Sequence, residues 1–232
     1  MTDPSFARRH DGPEIMDGPE PPPEEFARTL SELDFINRFL GGYAATRAAL
    51  DALVPPGIKS LRVLDVGCAD GASAEAILDW AEARGVQAEV HGVDLSAGSI
   101  AMARARRRPG LTFSRADLFD LPAEATYDVV HSSLFLHHCD GPLAARALRS
   151  MFGLSKIGLA VNDLHRHPFA YHAIKALTRV FSKNRLIRHD APLSVLRGFS
   201  PEELTALCRE GGLPRPELRW RWAFRWALVL RR

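Results

Sequence analysis

The sequence predicts an α/β fold, in which a doubly wound, mostly parallel seven-stranded sheet has a C-terminal antiparallel hairpin and an N-terminal helical cap. Three observations predict it. Short apolar runs alternate with amphipathic tracts between residues 61 and 163, a glycine-rich turn follows the first run, and apolar and basic residues alternate near residue 220. Alternating strands and helices are typical of parallel sheets covered on both faces, and an apolar period of two is typical of strands.

The 232-residue chain divides into three predicted parts. Residues 1–21 are charged and rich in proline, which predicts disorder. Residues 22–57 are predicted to form a helical cap, because apolar side chains recur every three or four positions from Phe26 to Leu40. The pair Gly41-Gly42 is expected to separate two helices. Residues 58–232 have the composition of one globular domain.

Turn and capping signals delimit the elements of this larger domain. Gly85 and the pair Pro109-Gly110 stop helices, and Ser200 is a favourable N-cap. Strands are therefore predicted at 61–66, 88–93, 111–116, 127–132 and 157–163, and helices at 72–84, 96–107, 143–152, 169–181 and 201–209. The terminal hairpin follows from alternating apolar residues, Leu218, Trp220, Trp222, Phe224 and Trp226, and from the apolar run 227–230.

Composition limits the classes of function. The formal net charge of +2 and a pI near 8.6 do not favour nucleic acid as the partner. Three widely spaced cysteines fit neither a zinc ribbon nor a complete disulfide framework, and they favour a reducing compartment. No signal-peptide core and no stretch of about 18 apolar residues is present. We therefore predict a soluble cytoplasmic protein without a membrane span.

The glycine-rich turn reads Gly67-Cys68-Ala69-Asp70-Gly71 and joins the first strand to a helix. Such a turn lets the backbone approach a ligand and directs helix N-terminal amides at it. The dinucleotide fingerprint G-x-G-x-x-G fails at its second and third glycines. A nicotinamide-dependent oxidoreductase is therefore an alternative and not the first choice.

Acidic residues stand at the ends of three successive strands. Asp94 ends the second strand, where a carboxylate can accept hydrogen bonds from both ribose hydroxyls. Asp117 follows the third strand and suits an adenine amino group. Asp65, just before the glycines, suits a cationic methionine moiety, reached through the loop backbone or a water.

These residues resemble the class I, Rossmann-like S-adenosylmethionine-dependent methyltransferases. VLDVGCADG is similar to the first motif of that family, GVDLS contains its ribose acid, residues 116–118 its adenine contact, and VVHSSLFLHHCD its fourth-strand motif. Ala69 departs from the family, which often has glycine there. The resemblance implies S-adenosylmethionine as the cofactor and a methyltransferase catalytic domain over residues 58–232. The residues predicted to bind the cofactor are Asp65, Gly67, Cys68, Ala69, Gly71, Asp94, Leu95, Asp117, Leu118, His131 and Ser132.

Two histidines are the candidate catalytic residues. The loops after the fourth and fifth strands face the reacting methyl in such a sheet, and they contain His137 and His165. His137 is similar in position to the catalytic histidine of small-molecule O-methyltransferases, although His-Cys-Asp follows it in place of Asp-Trp. Asp163 is expected to orient His165 or to touch the cofactor. No H-x-x-x-H spacing occurs, so no metal site is predicted.

The predicted reaction is methyl transfer to a small organic acceptor, first of all a phenolic oxygen of an aromatic or polyketide-like compound. INRFLGGY, VNDLHRHPFAYH and HDAPLSVLRGF resemble bacterial methyltransferases of polyketide and phenolic pathways. Aromatic residues such as Tyr43 and Phe169 would suit a flat acceptor. Carbon methylation of an activated ring is the next alternative, followed by the NAD(P)-dependent oxidoreductase and a non-catalytic Rossmann-like binding subunit.

Overall fold

The computed structural model describes residues 5–122 and 127–232. In these ranges the helices are α1 (Pro23–Phe39), α2 (Gly42–Leu53), α3 (Ala72–Glu82), α4 (Ala97–Arg104), α5 (Gly141–Gly153), α6 (Pro168–Phe181), α7 (Arg185–Arg197) and α8 (Pro201–Glu210). The strands are β1 (Ser60–Val66), β2 (Gln87–Asp94), β3 (Leu111–Arg115), β4 (Tyr127–Ser133), β5 (Ser155–Leu164), β6 (Glu217–Arg221) and β7 (Arg225–Arg231). No helix in these ranges is long and apolar enough to cross a membrane.

The seven strands form one sheet in the order β3-β2-β1-β4-β5-β7-β6. The first five strands are parallel, whereas β7 runs antiparallel to both β5 and β6. Strand order reverses beside β1, so the loops after β1 and β4 diverge and leave a crevice at the carboxyl edge. The predicted fold class is therefore confirmed, including the C-terminal hairpin.

Successive residues of the central strands face opposite sides of the sheet, as strand geometry requires. On β5, Leu159 and Val161 pack with α5 and α8, whereas Ala160 between them packs with α2 and α3. The sheet is therefore covered on both faces, which explains the nearly continuous apolar runs of its strands. This two-sided burial fixes the strand ends from which the site residues project.

Helix α7 is absent from the sequence-based prediction. Its apolar and polar residues do not segregate clearly onto two faces, and it contains Pro192. Asn184 caps it, because the side-chain oxygen accepts a hydrogen bond from the Leu186 backbone N–H. The helix packs against α6, and these two helices form one wall over the carboxyl edge of the sheet.

Residues 5–21, for which the sequence predicts disorder, lie across this edge of the sheet. The guanidinium of Arg9 donates hydrogen bonds to the backbone carbonyls of His137 and Cys139 at 2.9 and 3.0 Å. The carboxylate of Asp190 accepts two consecutive backbone N–H groups of this segment, at 2.9 and 3.0 Å. Polar contacts with distant residues thus supply the ordering that local apolar content does not.

Candidate active site

A cavity of about 510 Å³ lies beyond the carboxyl ends of the central strands. The loops after β1 and β4 form its floor, α1 and α6 form apolar walls, and the turn between β6 and β7 closes one side. Five of the predicted site residues line it: Gly67, Cys68, Ala69, Asp94 and His137. One continuous space therefore connects the glycine loop with a histidine.

The glycine loop requires a backbone that few residues adopt. Gly67 has a φ of 69°, and a Cβ at this position would lie 2.8 Å from Cδ2 of Phe135. Ala69 is also left-handed, with a φ of 46°, a conformation that is unstrained only for glycine. The glycine found at this position in many family members would therefore relieve strain at Ala69.

Asp94 holds this loop in place from the end of β2. Its Oδ2 accepts a hydrogen bond from the Ala69 backbone N–H at 3.0 Å, and its Oδ1 accepts one from Ser96 at 2.9 Å. Burial raises the pKa of Asp94, and the backbone hydrogen bonds oppose this rise. Each oxygen keeps a second lone pair, so Asp94 can still accept hydrogen bonds from a ligand in the cavity.

The helical cap adds a polar group near the glycine loop. Tyr43 on α2 donates a short hydrogen bond to Asp34 on α1, and both side chains line the cavity. Burial and the Asp34 carboxylate raise the pKa of Tyr43, so the phenol stays protonated. The sequence carries no signal for Asp34, which occupies an ordinary polar position of an amphipathic helix.

Asp65 is buried in a hydrogen-bond network and does not line the cavity, so its contact with the cofactor through the loop backbone or a water stays a prediction. Its Oδ1 accepts from Nδ1 of His131 at 2.6 Å, and its Oδ2 accepts from the Ser73 hydroxyl at 2.5 Å. Nε2 of His131 lies 3.1 Å from the Thr46 hydroxyl, which also binds the amide of Asn162 at 3.3 Å. Asp65 and His131 are fully buried, and their network ties the sheet to the cap.

Apart from Gly67, Cys68, Ala69 and Asp94, the remaining predicted cofactor residues also lie outside the cavity lining, although all are in the described ranges. Asp117 accepts a hydrogen bond from the Phe119 backbone N–H at 2.9 Å and caps a short turn. Leu95 is largely exposed. A contact between Asp117 and a bound adenine remains a prediction. The residues placed outside the lining are Asp65, Gly71, Leu95, Asp117, Leu118, His131, Ser132 and His165.

His137 forms a buried pair with Asp163. Its Nδ1 lies 2.7 Å from Oδ1 of Asp163, and its backbone N–H donates to Oδ2 of the same carboxylate at 3.2 Å. A carboxylate only accepts hydrogen bonds, so Nδ1 carries the hydrogen, and in the neutral ring Nε2 keeps its lone pair. Burial tends to raise the pKa of Asp163, but His137 outweighs it and the pKa lies below its usual range.

Asp163 therefore orients His137, whereas the sequence predicts that it orients His165 or touches the cofactor. The His165 ring packs against Trp226 and Phe224, with ring centroids 4.8 and 6.0 Å away. Of the two candidate histidines, His137 lines the cavity, whereas His165 lies outside its lining.

The N-terminal segment brings a carboxylate that the sequence does not single out. Oε1 of Glu14 lies 3.7 Å from Nε2 of His137 and accepts a hydrogen bond from the Ser194 hydroxyl at 2.8 Å. Glu14, His137 and His138 each present one potential ligand atom, all within 4.8 Å of one another. The sequence predicts no metal site, whereas the structure brings these three potential ligands together. Sequence spacing does not reveal the cluster, because Glu14 is distant in sequence from both histidines.

Comparison with known proteins identifies the domain to which this site belongs. Residues 63–158 match the family described as a methyltransferase domain. The chain is 37% identical over 111 residues to trans-aconitate 2-methyltransferase of Methylobacterium nodulans, which covers 46% of this chain and 40% of the relative. It is 32% identical over 164 residues to malonyl-[acyl-carrier protein] O-methyltransferase of Enterobacter lignolyticus, covering 67% and 61%. The chain thus spans between about two fifths and three fifths of the length of these relatives.

The fold has a solved counterpart of similar size. Magnesium protoporphyrin IX methyltransferase from Synechocystis, with bound S-adenosylhomocysteine, is similar with a TM-score of 0.58. The two chains are 18% identical, and 87% of each is covered. With the first motif, the ribose acid and the strand order, these matches confirm the resemblance found in the sequence. The chain carries a class I, Rossmann-like S-adenosylmethionine-dependent methyltransferase domain.

Proposed function

We propose that the protein transfers the methyl group of S-adenosylmethionine to an oxygen of a small organic acceptor, first of all a phenol. The observation that carries this proposal is the single cavity that joins the glycine loop and Asp94 to the buried pair of His137 and Asp163. One of the curated relatives is an O-methyltransferase by name, which favours oxygen over the carbon of an activated ring.

The residues of the cavity fit the cofactor. The positive-φ turn at Gly67 exposes backbone where a Cβ would otherwise collide, and Asp94 offers free lone pairs for ribose hydroxyls. Asp34 and Tyr43 supply polar groups near the same loop. When bound, S-adenosylmethionine supplies an activated methyl group on a positively charged sulfur.

His137 supplies the base for the acceptor. A phenol has a pKa near 10 and must lose its proton during or before methyl transfer. When neutral, the His137 ring has its free lone pair on Nε2, so the proton of the acceptor hydroxyl would move to Nε2 as the oxygen bonds to the methyl carbon. The methyl–sulfur bond would break in the same step, and its electron pair would stay on the sulfur of the released S-adenosylhomocysteine. Asp163 stabilises the resulting imidazolium by ion pairing through Nδ1, as an aspartate does in a catalytic triad.

The walls of the cavity suit an apolar, flat acceptor. Leu30 and Ile36 of α1 face the cavity together with Ile174 of α6, and Phe169 and Phe224 line its rim. Mostly apolar walls with a few polar groups at one end are typical of small-molecule sites. The acceptor can thus bury its ring against the cap while its hydroxyl reaches His137.

The first test combines binding with turnover. We expect calorimetry to show micromolar binding of S-adenosylhomocysteine and no binding of NADH or NADPH. We also expect methyl-labelled S-adenosylmethionine to transfer label to a panel of substituted phenols. Dinucleotide binding would reject the cofactor assignment, and cofactor binding without label transfer to any acceptor would favour the non-catalytic binding subunit.

Replacement of Asp94 by alanine is expected to weaken S-adenosylhomocysteine binding by about 2 kcal/mol, or about thirtyfold, because a charged hydrogen-bond acceptor is lost. The loop amide of Ala69 also loses its partner. Calorimetry measures the effect, and the exposed Asp120→Ala variant serves as the matched control. Unchanged affinity in Asp94→Ala would remove Asp94 from the cofactor site.

A further inference from the structure

Arg225, the first residue of β7, is buried without an ionic partner. Only 3% of the residue is exposed, yet it lies in the lining of the cavity. Its Nε donates a hydrogen bond to the Leu40 carbonyl at 3.3 Å, and its Nη1 has no hydrogen-bond partner among the described residues. Within these residues no carboxylate comes within 4.0 Å of its guanidinium.

A guanidinium in this state is unusual, because buried charges are normally paired and fully hydrogen-bonded. Burial lowers the pKa of Arg225 to about 10, and the Asp163 carboxylate opposes the shift. The group is therefore still charged at neutral pH. Removing such a group from water costs stability unless an anion compensates it, and Asp163 acts on Arg225 only from beyond ion-pair distance.

The position of Arg225 in the sheet places it on the acceptor side. In the strand order, Asp94 ends β2, the glycine loop follows β1, and the His137 loop follows β4. Arg225 lies beyond all of them, paired with Leu164 at the end of β5. A molecule that reaches from His137 away from the glycine loop therefore extends toward Arg225.

We propose that Arg225 is the binding site for a carboxylate of a small molecule held in the cavity. Two parallel N–H groups of a guanidinium match the two oxygens of a carboxylate, and the desolvated surroundings strengthen the pair. The strand order favours a carboxylate of the acceptor. The cofactor also carries a carboxylate and is the second source that the test must distinguish. The inference rests on the proposed function only for the identities of the acceptor and the cofactor.

Matched probes distinguish the two sources. Salicylate carries a carboxylate next to a phenolic hydroxyl, and phenol lacks the carboxylate. S-adenosylhomocysteine carries a carboxylate, and 5′-methylthioadenosine lacks it. Binding of salicylate and phenol is measured by calorimetry on protein saturated with S-adenosylhomocysteine, and binding of the two nucleosides is measured on free protein.

The test variants are Arg225→Met, which removes the charge at similar volume, and Arg225→Lys, which keeps the charge without the two-pronged geometry. Arg231→Met is the matched control, because Arg231 is an exposed arginine on the same strand. We expect Arg225→Met to bind salicylate at least tenfold more weakly than the wild type and to bind phenol equally well. Arg225→Lys is expected to be intermediate, and Arg231→Met unchanged.

A tenfold loss for S-adenosylhomocysteine, with unchanged 5′-methylthioadenosine, would assign the carboxylate to the cofactor and would still support the site. Equal binding of all four probes by wild type and Arg225→Met would overturn the proposal. If Arg225→Met does not fold, the same comparison of probes with Arg225→Lys decides. Since every readout is binding, a failure to transfer methyl groups would reject the proposed function without affecting this result.

Discussion

Replacing His137 with alanine is expected to lower turnover by about a hundredfold or more while leaving S-adenosylhomocysteine affinity within about twofold. General-base catalysis accelerates reactions by a factor on the order of 10² to 10⁴. In the proposed mechanism, the lone pair on Nε2 of His137 accepts the proton of the acceptor hydroxyl. The backbone of residue 137 keeps its hydrogen bond to Asp163 in the variant. Turnover of labelled S-adenosylmethionine with a responsive phenol measures the first effect, and calorimetry measures the second.

Two histidine variants control this experiment. His172 is exposed on α6, and its replacement by alanine is expected to leave turnover unchanged. His165→Ala tests the alternative suggested by the sequence. Full activity in His137→Ala together with a large loss in His165→Ala would transfer the catalytic role to His165 and would contradict the geometry of the cavity.

The cluster of Glu14, His137 and His138 requires one further measurement. If Nε2 of His137 accepts a proton and does not bind a metal ion, treatment with the chelator EDTA is expected to leave turnover unchanged. Metal analysis of the purified protein checks the same point. Loss of activity on chelation, restored by a divalent cation, would replace proton abstraction by His137 with metal-assisted ionisation of the acceptor.

Asp65→Ala is expected to lower the free energy of unfolding by about 3 kcal/mol or more. Removing a buried carboxylate leaves the donors that it accepts from without a hydrogen-bond partner, and this change removes the partner of both His131 and Ser73. Urea denaturation followed by circular dichroism measures the change. The cap is anchored through the same network, so part of the loss is expected to come from the contact of Thr46 with His131.

Asp79→Ala provides the comparison for this variant. Asp79 lies on α3 with an exposed side chain that pairs with Arg108, and exposed pairs of this kind contribute about 0 to 1 kcal/mol. A stable Asp65→Ala protein that has lost cofactor binding would restore the sequence-based role of Asp65 as a cofactor ligand.

The predictions that succeeded depend on local signals. Helix and strand positions between residues 61 and 210 agree with the structure to within three residues wherever an element was predicted. The glycine loop and Asp94 line one cavity, because a strand, a tight turn and a helix N-terminus lie next to one another in both sequence and space. Their contact with the cofactor stays a prediction.

The contacts that the sequence does not reveal are made between distant residues. Asp65 belongs to the same motif as Gly67, but whether its side chain faces a ligand or His131 is decided by residues more than sixty positions away. Glu14 and Arg225 come from segments that look disordered or merely alternating, and the choice between His137 and His165 depends on which of them Asp163 reaches. Apolar periodicity carries no information on the partners of buried polar groups.

The cavity is assembled from both ends of the described chain, with Glu14 on one side and Arg225 on the other. During synthesis, the glycine loop and Asp94 leave the ribosome well before β7, the strand through which β6 joins the described sheet. Until β7 is made, β6 has no neighbour in the sheet and the cavity lacks Arg225. A nascent chain therefore carries the glycine loop and the walls of α1 and α6 before this side of the cavity can close.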